Sequence, residues 1–245
     1  PLPPPPPLPP PPCQPPVFEL KETLAGATAH SNVVHNQGEF TFDGSTSYIR
    51  VPRPISDDFS INFEFKTTST LGSTGHWYGG RGLVDAEVPG NTNDFGVSIG
   101  AGYLMFGVGN PDQTITDSVK TADGLWHKVL ASRERATGMF KLYVDEVLKG
   151  SLTGNKNSLT APSNVDIGRI QAGGKNWAGT LRNLRIFDRP DTIVCNTPPY
   201  APPQPPQPPT KPPSPPLSPP SPPSPPSPPP PPATPRGVSG NGDLH

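Results

Sequence analysis

Two glycine-rich loops carry aromatic side chains of the kind that bind sugars. A sugar site sets an exposed aromatic face against the sugar's C–H groups and places amides and charged groups beside its hydroxyls. One loop reads His76-Trp77-Tyr78, with Arg81 close by, and the other reads Lys175-Asn176-Trp177. The candidate carbohydrate-binding residues are therefore Trp77, Tyr78, Arg81, Asn176 and Trp177. The alternative is that both tryptophans are partly buried at the edge of the fold.

Acidic pairs are the second feature, because glycoside hydrolysis needs one carboxyl group as an acid and another as a nucleophile or base. The nearest pairs are Asp85 with Glu87 and Asp145 with Glu146. Adjacent residues of an extended strand face opposite sides, which would separate Asp145 from Glu146. The chain has no Ser-His-Asp signature, no glycine-rich phosphate loop and no clustered Cys/His motif. We therefore expect a protein that is not an enzyme.

The elements that must position these residues lie in the middle of the chain. Of 42 prolines, 12 fall in residues 1–16 and 24 in residues 198–235. Dense proline favours polyproline II, so we predict such segments at 1–16 and 198–236, a folded domain at 17–197 and a flexible tail at 237–245. The formal net charge is −1, with no basic stripe and no long apolar run, so we expect neither nucleic acid as a partner nor a membrane segment.

The central segment has the pattern of an all-β protein. Phe59–Lys66 alternates apolar and polar residues, which predicts a strand with one buried and one solvated face. Turn signals such as Asp43-Gly44 and Asp123-Gly124 separate further short strands. This pattern predicts an antiparallel β-sandwich, or jelly roll. The other predicted strands are Tyr48–Val51, Gly82–Ala86, Phe95–Ile99, Leu104–Val108, Thr114–Thr116, His127–Arg133, Phe140–Val144, Val165–Gly168 and Leu181–Phe187.

The two cysteines, Cys13 and Cys195, bracket this domain. Such a pair suggests a disulfide and an extracellular, oxidising setting, the alternative being two free thiols. A disulfide would require the ends of the domain to lie close together, which adjacent first and last strands would satisfy.

Seven stretches in series resemble the laminin-G-like jelly rolls of the concanavalin A-like lectin/glucanase superfamily over about residues 18–192. They are Phe42–Pro52, Asp58–Lys66, Asn93–Ile99, Asp123–Val129, Lys141–Asp145, Val165–Gly168 and Gly179–Asp188. One departure is Asp145-Glu146, where the family usually has Asp-Gly in a hairpin turn. Glucanases of this fold typically show Glu-x-Asp-x-x-Glu, a spacing that neither acidic pair has.

The resemblance also implies roles for single residues. Trp126 belongs to the family's Trp-His element and is expected in the core, with His127 as a structural strand residue. Laminin-G-like domains often hold calcium through loop carboxylates, which makes Asp85 and Asp94 the candidate Ca2+ ligands. The alternative for these aspartates is ordinary turn chemistry.

The flanks resemble the hydroxyproline-rich glycoproteins of plant and green-algal walls, in which hydroxylated prolines carry sugars. Ser218, Ser221, Ser224 and Ser227 recur every third residue, which is one turn of polyproline II, so their hydroxyls share one stripe. The candidate O-glycosylation positions are Ser214, Ser218, Ser221, Ser224 and Ser227.

Together these features predict a non-catalytic structural or adhesion module of an extracellular glycoprotein of a wall, matrix or ciliary hair (mastigoneme). The jelly roll would dock to matrix glycoproteins or glycans, and the flanks would act as rods bearing covalent O-glycans. The alternatives are a carbohydrate-binding lectin domain and, more remotely, a glycoside hydrolase.

Overall fold

The computed structural model describes residues 14–190, and the structural findings below concern that range. Its strands, in chain order, are β1 Phe18–Glu19, β2 Ala29–Ser31, β3 Val34–Asn36, β4 Glu39–Asp43, β5 Tyr48–Pro52, β6 Phe59–Lys66, β7 Arg81–Asp85, β8 Phe95–Gly100, β9 Tyr103–Val108, β10 Gln113–Lys120, β11 His127–Glu134, β12 Met139–Val144, β13 Val147–Thr153, β14 Asn164–Ile167 and β15 Ala178–Phe187. A short 3-10 helix at Trp77–Gly79 is the single helical element in this range, which contains no helix long and apolar enough to cross a membrane.

The strands form two antiparallel sheets, as the alternating sequence pattern predicted. The eight-stranded sheet has the order β13-β12-β11-β6-β15-β4-β3, with β1 paired to β15. The seven-stranded sheet has the order β10-β9-β8-β7-β14-β5-β2. The prediction of an all-β antiparallel jelly-roll sandwich is confirmed, whereas the predicted polyproline flanks lie outside the described residues.

Aromatic side chains join the two sheets in the core. The ring of Phe59 on β6 lies 4.9 Å from that of Phe95 on β8, and Phe106 on β9 lies 5.4 Å from Phe140 on β12. All four side chains are fully buried. Because each pair joins a strand of one sheet to a strand of the other, these contacts hold the sheets together face to face.

The central strand β6 departs from the expected alternation at its start. Ser60 and Asn62 were expected on a solvated face, but they are 0% and 6% exposed. β6 is flanked on both sides, and it pairs Ser60 with Phe187 of β15 and Asn62 with Leu130 of β11. Large side chains on both neighbours therefore accompany the small polar ones on this face.

The first and last described strands are neighbours. β1 pairs with β15, the Val17 amide donates to the Ile186 carbonyl at 2.9 Å, and Arg189 Nη2 donates to the Gln14 carbonyl at 2.8 Å. The first and last described strands therefore have the adjacency that a disulfide between the ends of the domain would suit. Cys13 and Cys195 lie outside the described residues, so the disulfide stays a prediction, as do the domain boundaries.

The hairpin between β12 and β13 turns through the departure noted in the sequence. Asp145 and Glu146 have φ values of 51° and 68°, both in the left-handed region. Two consecutive positive φ angles in a two-residue loop make a type I′ turn, which matches the twist of the strands but normally takes glycine at its second position. Asp145-Glu146 therefore adopts the geometry expected of an Asp-Gly turn, with glutamate in the glycine position.

Candidate functional site

The face of the seven-stranded sheet that points away from the core carries one continuous row of charged residues and glycines. Strand pairing aligns Arg50 of β5 with Asp166 of β14, and Asp166 with Asp85 of β7. The row continues from Asp85 to Gly96 of β8 and then to Gly107 of β9. Cross-strand partners share one face of a sheet, so these residues lie side by side outside the core.

Trp77 lies on this row but is not available to a ligand. Its indole ring packs over Gly96 and Gly107, where an added Cβ atom would overlap the ring. Ser98 Oγ donates to the Trp77 carbonyl at 2.6 Å, which fixes the loop, and the side chain is 0% exposed. The prediction that Trp77 offers a sugar-stacking face is wrong, because two glycines on neighbouring strands make a slot that buries it.

The second loop places its tryptophan in the core. Trp177 packs against Phe42, with ring centroids 5.6 Å apart, and against Phe65 at 6.4 Å, and it is also 0% exposed. Asn176 is 6% exposed and donates through Nδ2 to the Ser47 carbonyl at 3.0 Å. These two predicted sugar contacts are therefore wrong as well: Trp177 is a core residue and Asn176 connects loops.

Tyr78 is the predicted aromatic residue that reaches the surface. It is half-buried and stacks on exposed His76, with ring centroids 5.0 Å apart and planes 7° from parallel. Burial, the charge of Asp112 and a hydrogen bond to Asp112 raise the pKa of the Tyr78 hydroxyl. The structure thus presents a stacked His-Tyr pair next to a carboxylate.

Lys175 brings the two glycine-rich loops together. Its Nζ donates to the Tyr78 carbonyl at 2.5 Å, and its own carbonyl accepts from the amides of Ile170 and Gly82. The loops are almost a hundred residues apart in the chain, yet they meet on one face of one sheet. Arg81, the remaining predicted sugar contact, begins β7 and is half-buried.

The carboxylates of Asp85 and Glu87 hold the start of the second loop. Asp85 is fully buried, and its Oδ1 accepts from the backbone amides of Glu87 at 3.0 Å and Gln171 at 2.9 Å. Burial raises the pKa of Asp85 well above its ordinary value. Burial, together with the charge of Asp94, raises the pKa of Glu87 to about 7, although Lys175 and a hydrogen bond from the Ala172 amide oppose the shift.

Asp94 organises the β7–β8 loop. Its Oδ2 accepts from the Val88 amide at 2.9 Å and from Thr92 Oγ1 at 2.8 Å, and the residue is 2% exposed. Burial raises its pKa in spite of these bonds. This is the turn chemistry that the sequence left open as the alternative to a metal ligand.

The donor set does not fit a preformed calcium site. Calcium takes six to eight oxygen ligands. Asp85 Oδ2 and Asp94 Oδ1 lack hydrogen-bond partners, yet within residues 14–190 no three acidic, His or Cys side chains are grouped to hold a metal ion. Calcium binding by this chain stays a prediction, and the geometry assigns both aspartates to loop structure.

Trp126 lies on the opposite side of the sandwich. The sequence placed it in the core, but it is half-buried on the eight-stranded sheet, with the Arg182 guanidinium 4.0 Å and Lys66 Nζ 4.9 Å from its ring. Its neighbour His127 forms two hydrogen bonds, from Nδ1 to Asp145 Oδ2 at 2.8 Å and from Nε2 to Asp123 Oδ1 at 3.1 Å. Burial disfavours the charged imidazole, but these two hydrogen bonds outweigh it and raise the pKa of His127.

An arginine pair on the seven-stranded sheet was missed by the sequence reasoning. Buried Asp166 accepts from Arg50 Nε and Nη2 at 2.6 and 2.9 Å, and from Arg169 Nε at 2.7 Å. The Arg169 guanidinium also lies 3.4 Å from the centre of the Tyr48 ring. A signal existed: in Val165–Gly168 the alternation turns Asp166 away from the apolar side.

Residues 43–192 match a laminin G family model described as the concanavalin A-like lectin/glucanases superfamily. Among solved structures, the receptor-binding domain of botulinum neurotoxin C/D mosaic serotype is similar with a TM-score of 0.54 and 15% identity, over 71% of this chain and 47% of that one. The type G receptor-binding domain gives 0.50 and 18%, over 69% and 45%.

A third solved structure is the binding domain of botulinum neurotoxin DC in complex with SialylT, with a TM-score of 0.51 and 17% identity over 66% of this chain and 42% of that one. The chain spans less than half the length of each of these structures. At these identities the likeness shows the fold alone. No curated protein sequence matches the chain.

Proposed function

Because this chain belongs to the concanavalin A-like lectin/glucanase superfamily, we propose that it is a non-catalytic adhesion module that binds a glycan. The ligand would lie on the outer face of the seven-stranded sheet, where the two glycine-rich loops meet. The module would be part of an extracellular structural glycoprotein, spaced from its neighbours by proline-rich segments that carry O-glycans.

The observation that carries the proposal is the surface pair of Tyr78 and His76. The two rings stack 5.0 Å apart, and Tyr78 keeps part of its side chain in solvent near Asp112, whose charge contributes to the raised pKa of the Tyr78 hydroxyl. An aromatic face supplies contact area for sugar C–H groups, and a carboxylate accepts from sugar hydroxyls. The known complex of a structural neighbour with SialylT is in keeping with this use of the fold.

The carboxylates argue for binding without hydrolysis. Glycoside hydrolysis needs two carboxyl groups on either side of a bond in an open cleft. Asp85 is sealed and bonded to two backbone amides, and Asp94 is 2% exposed and bonded to its own loop. Asp85 and Asp94 are therefore not accessible partners for Glu87, and the exposed carboxylate whose charge reaches Glu87 is that of Asp112.

The glycan proposal is tested by comparing two aromatic residues on opposite faces. The full chain would be applied to a glycan array as the parent, as Tyr78→Ala and as Trp126→Ala, with thermal unfolding measured for each. We expect Tyr78→Ala to weaken binding about tenfold or more, as for a central contact residue, and Trp126→Ala to bind like the parent.

Equal binding by the parent and Tyr78→Ala, or no glycan signal at all, would contradict the proposal. Turnover of laminarin-type glucans that is lost in Glu87→Gln would point instead to a hydrolase. The extracellular setting has its own test, because native peptides from residues 198–235 should carry hydroxyproline and sugars by mass spectrometry. Unmodified proline throughout would contradict the glycoprotein part.

A further inference from the structure

At Asp166 two arginines share one carboxylate, and the neighbouring Asp85 is fully buried with a pKa raised well above its ordinary value. One fully buried carboxylate accepts from two guanidinium groups, through bonds of 2.6, 2.9 and 2.7 Å. The side chains of Arg50 and Arg169 are 30% and 20% exposed, so both reach solvent. Two cations on one anion leave one positive charge at the surface.

The pair also has unused donors in a fixed geometry. Among residues 14–190, no hydrogen bond is formed by Arg50 Nη1 or by Arg169 Nη1 and Nη2, and these atoms are not sealed in the interior. Tyr48 stacks beneath Arg169 at 3.4 Å and Asp166 holds its Nε, so the plane of the guanidinium is set from two sides. A planar guanidinium held this way is organised in advance for a carboxylate or sulfate, which it binds with two parallel N–H groups.

The opposite sheet provides the contrasting case. Arg182 also stacks on an aromatic ring, that of Trp126 at 4.0 Å, but it pairs with two carboxylates, Glu64 at 2.7 Å and Glu39 at 3.2 Å. Because the Arg182 guanidinium already lies between two carboxylates, a third anion would gain little net electrostatic attraction there. On the eight-stranded sheet one arginine is therefore paired with two carboxylates, whereas on the seven-stranded sheet Arg50 and Arg169 share one.

The pair of Arg50 and Arg169 lies beside the proposed glycan face. Arg169 forms a β-bridge with Asn176, the residue after Lys175, whose Nζ bonds to the Tyr78 carbonyl. A ligand extending from Tyr78 across the second loop would meet Arg169 and then Arg50. From this placement we propose that Arg50 and Arg169 form a subsite for the carboxylate or sulfate group of an acidic glycan, an inference that rests on the proposed glycan function.

The experiment compares defined polymers on the full chain. Binding of dextran sulfate, polygalacturonate and neutral dextran would be measured for the parent and for Arg169→Gln, Arg169→Lys and the control Arg182→Gln, with thermal unfolding recorded for each. We expect Arg169→Gln to weaken binding of at least one anionic polymer about tenfold, the loss of a charged hydrogen bond. Preference for the sulfated or the carboxylated polymer identifies the anion.

Arg169→Lys keeps the charge and the fold but loses the planar fork, so we expect it to bind the anionic polymer more weakly than the parent. Arg182→Gln should leave the binding of both anionic polymers unchanged. Undiminished binding by both Arg169 variants, or no binding of either anionic polymer by the parent, would overturn the subsite. If the subsite is refuted in this way but glycan binding on the array is still weakened in Tyr78→Ala, the proposed function stands. Failure of the subsite and failure of the proposed function are therefore distinguishable.

Discussion

Glu87→Gln should stabilise the protein at neutral pH and leave its stability unchanged in acid. Glu87 is 8% exposed and lies among other carboxylates, and burial followed by the charge of Asp94 raises its pKa from 4.5 to about 7. Glutamine has nearly the same shape and keeps an oxygen that can accept from the Ala172 amide. The substitution therefore removes mainly the charge.

The sign of the effect follows from the order of the two pKa values. The folded state binds the Glu87 proton more tightly than the unfolded chain, so the contribution of this group to stability is greatest below pH 4.5 and falls as the pH rises to about 7. Each pKa unit corresponds to about 1.4 kcal/mol, which gives a loss of up to about 3 kcal/mol across this window. In Glu87→Gln that loss is absent.

The assay is urea unfolding of the full chain, followed by tryptophan fluorescence at pH 4.5, 6 and 8. The unfolding free energies of Glu87→Gln and the parent should agree at pH 4.5 and differ by up to about 3 kcal/mol at pH 8, with the variant more stable. Glu146→Gln, which changes a carboxylate that is 79% exposed, is the matched control and should show no such divergence. A difference between Glu87→Gln and the parent that does not change with pH would refute the reasoning.

Two further predictions concern glycine positions. Glu146→Gly should stabilise the domain by about 1 kcal/mol in thermal unfolding, because glycine adopts the φ of 68° that glutamate holds under strain; an unchanged or lower midpoint would contradict a strained turn. Gly107→Ala should destabilise by about 2 kcal/mol or more and raise the solvent quenching of Trp77 fluorescence, because its methyl group would overlap the indole. Ala131→Gly in the core is a control that should lower stability without exposing Trp77; unaltered stability in Gly107→Ala would rule out the close packing.

The architecture could be predicted because its signal is local. The alternation of Phe59–Lys66 and the short apolar runs at Phe95–Ile99 and Phe140–Val144 each report on one strand alone. Some missed strands lack a strong apolar face, among them Val34–Asn36, which is exposed throughout, and Val147–Thr153 at the edge of its sheet. Glu39–Asp43 was missed as well, although Phe40 and Phe42 alternate with polar residues along it. An edge strand has one partner and little buried surface, so its sequence carries little pattern.

The candidate site was predicted only in part because its determinants are distant in the chain. Whether Trp77 is buried depends on Gly96 and Gly107, which leave room for its ring on two other strands. No local feature distinguishes it from Trp126, which meets Arg182 from a strand more than fifty residues away and stays half-exposed. Residue type singled out the two loops that meet on this face, but tertiary packing decided which aromatic side chain reached solvent.

The free-energy cost of the buried carboxylates supports the proposal that the outer face of the seven-stranded sheet is the functional one. Asp85, Asp94 and Asp166 are 0%, 2% and 0% exposed. Burying each of them contributes less to the stability of the fold than burying an apolar side chain of similar size would. Asp85 and Asp94 each keep one oxygen without a hydrogen-bond partner, so local hydrogen bonds do not fully offset the desolvation free energy of these carboxyl groups. A fold that held these groups only for stability would gain by replacing them. What they do achieve is placement: Asp85 fixes the loop that carries Lys175, Asp94 fixes the β7–β8 loop, and Asp166 orients two arginines toward solvent.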